Sequence, residues 1–72
     1  MAKRSVTVNG HATSVSLEAP FWRELKRMAG AANLSVAALV AEIDAGATGG
    51  SLSSALRLAV LKDLQARASD RG

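Results

Sequence analysis

The residues able to do chemistry are few, and their spacing argues against catalysis. His11 is the sole imidazole, and the chain has no cysteine. A serine nucleophile needs an oriented base within hydrogen-bond reach. Ser5, Ser14, Ser16, Ser35, Ser51, Ser53 and Ser54 instead occupy strand-face or helix-cap positions in the pattern described below. Glu42 and Asp44 stand two apart on an expected helix, so their carboxylates diverge rather than converge on one metal. One histidine without cysteine cannot complete a four-ligand zinc site. Gly49-Gly50 lacks the Gly-Lys-Ser/Thr continuation of a phosphate-binding loop, and no strand precedes it. The reading is therefore of a protein that is not an enzyme and uses no metal or cofactor.

The hydroxyls gain meaning from the elements that carry them. Val6, Val8, Val15 and Leu17 alternate with Ser5, Thr7, Ser14 and Ser16, a period of two that predicts strands over about 4–8 and 11–17. Asn9-Gly10 between them is a strong type I′ hairpin signal. Such a turn sets Val8 opposite His11, Val6 opposite Thr13 and Ser5 opposite Ser14. One face of the sheet is then apolar and the other hydroxylated.

From Ala19 the period becomes helical. Pro20 suits a first turn, and Phe21, Trp22, Leu25, Met28 and Ala29 form an apolar stripe on a helix over about 19–32. Asn33 can adopt the left-handed conformation that closes it. Ser35 caps a second helix, about 35–45, with Val36, Leu39, Val40 and Ile43 as its stripe. Ala47-Thr48-Gly49-Gly50 reads as a linker, and Thr48 or Ser51 as the cap of a third helix over about 52–67. Leu52, Ala55, Leu56, Ala59, Val60 and Leu64 line one side of it, widened by Leu58 and Leu61. Residues 68–72 lack an apolar anchor and are expected to fray. The whole of 1–67 reads as one domain.

With 72 residues and no disulfide, a lone chain is a marginal fold, and a second subunit is the remaining stabiliser. The economical arrangement is a two-fold in which strand 11–17 of each copy forms an antiparallel ribbon. The helices would close a shared core from Val15, Leu17, Phe21, Trp22, Leu25, Leu39, Val40 and Ile43. Formal net charge is +3, with the excess in residues 1–34, where Lys3, Arg4, Arg23, Lys26 and Arg27 outnumber Glu18 and Glu24. That balance permits an anionic partner. No apolar run approaches the roughly 20 residues of a membrane span, and no secretory signal pattern opens the chain. A cytoplasmic protein without membrane contact is expected.

Thr13-Ser14-Val15-Ser16-Leu17-Glu18-Ala19-Pro20-Phe21-Trp22, then Asn33-Leu34-Ser35 and Val36-Ala37-Ala38-Leu39-Val40-Ala41-Glu42-Ile43-Asp44, resemble the ribbon-helix-helix (Arc/MetJ-like) superfamily of bacterial and phage repressors. The closest likeness is to a subgroup of short bacterial proteins with a third helix like Leu52-Ser53-Ser54-Ala55-Leu56-Arg57. The resemblance spans roughly residues 4–62. It implies a mostly α, α+β fold: ribbon-helix-helix with an N-terminal β-hairpin or extra strand and an additional C-terminal helix, as an intertwined homodimer.

The resemblance further implies a dimeric DNA-binding transcriptional regulator whose ribbon lies in the major groove of double-stranded DNA. Carried over by position, Ala12, Ser14 and Ser16 would meet base edges. Ser35 with the amides of Val36 and Ala37 would hold a phosphate at a helix N-terminus. A four-stranded sheet is too wide to enter the groove deeply, so either residues 1–8 peel away on binding, with Lys3 and Arg4 reaching phosphates as basic arms, or the sheet meets DNA shallowly or not at all. Ala12 reads little beyond a thymine methyl, serine hydroxyls discriminate weakly between bases, and Glu18 adds a negative charge at the ribbon's end. The alternative is a dimeric protein-protein interaction module or adaptor without DNA binding. Residues 1–8 are left open between a paired strand and a mobile arm.

Overall fold

A computed structural model describes residues 2–8, 10–47 and 50–70. Two strands precede three helices: β1 (Ala2–Val8), β2 (His11–Leu17), α1 (Ala19–Ala31), α2 (Val36–Gly46) and α3 (Leu52–Asp70). The strands pair antiparallel as a two-stranded sheet. Val8 lies opposite His11, Val6 opposite Thr13 and Ser5 opposite Ser14, the register expected from the turn signal. Gly10 carries the positive φ that this turn needs, +81°. Asn9, the other half of the signal, lies outside the described residues.

β1 is a held strand. It begins at Ala2, two residues earlier than the alternation shows, because the sheet pairs Ala2 with Leu17 and the Trp22 indole Nε1 donates to the Ala2 carbonyl at 2.8 Å. Val6 and Val8 are buried. Peeling the strand away would expose both valines, at about 1.5–3 kcal/mol each, and leave a buried indole donor without its acceptor. A mobile arm is therefore the costlier arrangement.

Helix starts and stops follow local chemistry. Pro20 lies in the first turn of α1, where its missing N–H costs nothing. After Ala31 the chain turns with Asn33 left-handed at φ 58°. Leu34 N–H donates to the Ala29 carbonyl at 2.8 Å and Asn33 N–H to Gly30 at 3.2 Å, the paired bonds of a Schellman closure. Ser35 Oγ then accepts from Ala38 N–H at 3.0 Å and starts α2. The two helices turn by 96° across this break. Thr48 and Gly49 lie outside the described residues. The cap of α3 is Ser51, whose Oγ accepts from Ser54 N–H at 3.1 Å.

The core gathers Val6, Val8, Val15 and Leu17 from the sheet, Trp22, Leu25 and Ala29 from α1, Leu39 and Val40 from α2, and Leu56 and Val60 from α3. Val15, Leu17, Trp22, Leu25, Leu39 and Val40, expected in a core shared by two subunits, are thus buried within one chain. Phe21 and Ile43 pack half-buried against them. α3 departs from expectation at its end. It continues as helix to Asp70 instead of fraying from residue 68, while Arg71 and Gly72 lie outside the described residues. Beyond Val60 the described side chains are exposed apart from half-buried Asp63. Leu64, expected on the inner stripe, is 43% exposed with Leu58 and Leu61, because the helix has by then run past the elements it packs on.

Candidate nucleic-acid interface

The strand period divides the sheet into two faces. Inward lie the apolar side chains just described; outward lie Lys3, Ser5 and Thr7 of β1 and Ala12, Ser14 and Ser16 of β2. The pairs are Lys3 with Ser16, Ser5 with Ser14, and Thr7 with Ala12. All six are exposed except half-buried Ser16. The three residues nominated to meet bases therefore share one accessible face. Ser5 and Thr7 double its hydroxyl content, and no acidic side chain lies on it.

Arg4 and Lys3, neighbours in sequence, point to opposite faces. Lys3 joins the outward hydroxyls. The Arg4 guanidinium lies over the Trp22 ring, 5.5 Å from its centroid, a cation-π arrangement. Arg4, Trp22, Lys26, Val36 and Ala37 line an open depression of about 510 Å³ along the edge of β1. This depression brings three of the nominated phosphate contacts together, Arg4 with Val36 and Ala37. As first-turn residues, Val36 and Ala37 have amides without intrahelical acceptors, since only Ala38 is capped by Ser35. Lys26 is a further cation there that the sequence reading missed. Its signal was available: it stands one turn after Trp22 on α1, so anchoring the indole inward brings Lys26 to the same rim.

The other edge belongs to β2 and faces α3. Ser53 Oγ donates to the Ser16 carbonyl at 3.2 Å, so the peptide groups of Ser16 point away from β1. By antiparallel parity those of Ser14 and Ala12 do so too. The sheet is thus flanked by two serine-capped helix starts, α2 beside β1 and α3 beside β2.

Charge placement removes one objection to an anionic ligand. Glu18, at the end of β2, is held by Arg57, whose Nε and Nη2 donate to its two carboxylate oxygens at 3.0 and 3.3 Å. The Arg57 hydrogen bonds, aided by a backbone N–H, lower the Glu18 pKa below the ordinary carboxylate value. Arg57 also stacks over Phe21 at 5.8 Å. On the opposite flank Arg27 bridges Glu24 at 2.7 Å and Asp63 at 2.6 Å. Every ion pair among the described residues uses Arg27 or Arg57. The acids of α1 and the β2 end are thereby engaged with these two arginines, whereas Lys3, Arg4, Arg23 and Lys26 enter none of these pairs.

Among the described residues no group of three potential metal ligands comes together, and His11 is an exposed residue beside the turn. No single helix among them is long and apolar enough to cross a membrane.

A strand with one hydroxylated face, followed by two short helices that meet at a capped turn, is the build of a ribbon-helix-helix protomer, to which β1 and α3 are additions. The family model described as "Ribbon-helix-helix domain" matches residues 1–64, and the chain belongs to that family. Members are typically DNA-binding regulators rather than enzymes, and generally bind DNA as dimers. No curated protein and no solved structure shows significant similarity to the chain.

Proposed function

We propose that this protein is a small DNA-binding transcriptional regulator of the bacterial repressor type, acting in the cytoplasm, whose sheet docks by its outward face in the major groove of duplex DNA. The carrying observation is that face itself: Lys3, Ser5, Thr7, Ala12, Ser14 and Ser16 are side by side, accessible and without a carboxylate. Beside it, Arg4, Lys26 and the first amides of α2 present positive groups to a phosphate strand.

Width favours the hairpin of a single chain as the ribbon that enters. Strand axes lie about 4.8 Å apart, well within a groove about 12 Å wide. Pairing two chains through their β2 edges would make a four-stranded sheet with about 14 Å between its outer axes. Because β1 is held by Val6, Val8 and Trp22, narrowing such a sheet by releasing it would cost that burial and the indole hydrogen bond. On this reading each copy of a homodimer delivers its own ribbon to one half-site. Hydroxyls and an alanine give modest base discrimination, so two half-sites are needed for useful specificity.

The test is fluorescence anisotropy of the full chain against a mixed pool of genomic duplexes at about 50 and 200 mM salt. Expected is saturable binding that weakens steeply with salt and survives at the higher salt on a few fragments. Lys26→Glu should weaken binding to all fragments alike, whereas Ser14→Ala with Ser16→Ala should narrow the preference among them. Absence of binding at the lower salt would overturn the reading.

A further inference from the structure

We infer that the outer edge of β1 is a docking site for an extended acidic segment of another protein, which adds to the sheet as a further strand. The sheet has two strands, so β1 keeps one edge without a partner strand. Pairing parity says which groups lie there. The Ser16 carbonyl points away from β1, toward Ser53, which makes Lys3 with Ser16 a pair without mutual backbone bonds. The same parity holds for Ser5 with Ser14 and for Thr7 with Ala12. The N–H and carbonyl groups of Lys3, Ser5 and Thr7 therefore project from the outer edge. No turn, cap or side-chain hydrogen bond among the described residues engages them. An edge of open donors and acceptors is a template for another strand.

The depression beside that edge says what the added strand carries. Arg4, Val6 and Thr7 of β1 and Trp22, Lys26 and Val36 of the helices line its volume of about 510 Å³, and no acid lines it. Lys3 stands exposed on the same strand. Lys3, Arg4 and Lys26 enter no ion pair among the described residues. These cations call for carboxylates, and half-buried Val36 and Ala37 call for an apolar side chain. An extended segment supplies both, because its successive side chains point to opposite faces. A second copy's β1 would bring its own Lys3 and Arg4 to a depression already positive. A phosphate strand answers the cations but offers only acceptors, leaving the Lys3, Ser5 and Thr7 carbonyls unmatched, whereas a peptide backbone answers both kinds of group. Binding of the segment is independent of the DNA-binding reading. On that reading Arg4 and Lys26 also meet phosphate, so peptide and duplex compete for them.

The measurement is fluorescence anisotropy of a labelled peptide of alternating Glu and Val, about eight residues long, titrated with the full chain. Amide hydrogen exchange, read residue by residue by NMR, accompanies it. Expected is saturable binding with a Kd of about 10–100 µM. At saturation, exchange should slow about tenfold at Lys3, Ser5 and Thr7 and stay unchanged at Arg4 and Val6, whose N–H groups already face β2. Ser5→Pro removes one edge donor without removing a bond between β1 and β2, and should weaken binding about fivefold. Lys26→Glu should weaken it about tenfold. The same peptide with every amide N-methylated keeps its carboxylates and loses its strand donors, and should bind at least about tenfold more weakly. That arm decides the matter if Ser5→Pro fails to fold. Absence of binding up to about 1 mM would overturn the proposal, as would equal binding of the N-methylated peptide or of one with Lys in place of Glu. Slowed exchange at Ala12 and Ser14 instead would also overturn it and assign the peptide to the β2 edge. None of these arms contains DNA, so a failure of the DNA-binding reading leaves them intact.

Discussion

The outward faces of the sheet and of α3 both meet solvent, yet they are made of opposite side chains. On the sheet, strict alternation sends every valine and leucine inward and leaves hydroxyls, an alanine and Lys3 outside. On α3, leucines occupy both sides, with Leu56 wholly buried and Leu58 57% exposed two residues later. A hydroxylated surface costs nothing to keep wet and can exchange water for the polar edges of a ligand. An apolar one is kept wet at a cost unless something covers it. The two faces are therefore suited to different ligands.

The comparison breaks most severely at the anchor beneath the sheet. Trp22→Ala removes a buried indole, the bond that fixes Ala2 and the platform under Arg4. Chemical denaturation should show a loss of about 3–5 kcal/mol, enough to unfold a domain of this size. Leu56→Ala should cost about 2–5 kcal/mol. The same substitution two turns on, Leu64→Ala, should stay within about 0.5 kcal/mol. Equal losses at 56 and 64 would mean that the overhanging end of α3 is packed after all.

On the sheet side, Ser14→Ala with Ser16→Ala should leave thermal stability within about 0.5 kcal/mol. The same pair should lower affinity for the preferred duplex by about tenfold, as expected for two lost hydrogen bonds. Unchanged affinity would show that hydroxyls on this face contact nothing. The smallest effect concerns pH. Glu18 has a lowered pKa in the folded chain, so its pairing with Arg57 contributes above the ordinary carboxylate range. That contribution disappears as pH falls through the folded value. The melting temperature of the wild type should thus drop below the ordinary carboxylate range slightly more than that of Glu18→Gln. Solvent screening keeps the difference small.

What was legible in the sequence was local. Asn9-Gly10 and the alternation around it specify the register, because a two-residue turn leaves one pairing that puts all four of Val6, Val8, Val15 and Leu17 on one face. Asn33 and Ser35 marked the end of α1 and the start of α2 for similar reasons. The contacts that escaped reading join distant positions: Trp22 with Ala2, Arg57 with Glu18 across 39 residues, and Arg27 with Asp63 across 36. Nothing in the spacing of those residues announces them. Glu18 therefore looked like a misplaced charge, although the fold supplies its counter-ion. Periodicity likewise identified α3 as apolar on several sides without telling which leucines would be covered, since that depends on where its neighbours end.

The ties between α3 and the end of β2 carry a thermodynamic consequence. Ser53 holds the Ser16 carbonyl, and one turn later Arg57 holds Glu18, so the first turns of α3 are tied to the last residues of β2. Any ligand that favours one position of α3 must then favour one position of Ser16. On the proposed reading, occupancy of the outward sheet face and of any surface on α3 would be linked equilibria, and linkage is reciprocal. A duplex that binds one arrangement of Ser16 better than another would then change the affinity of any α3 ligand by the same factor as that ligand changes the affinity for DNA.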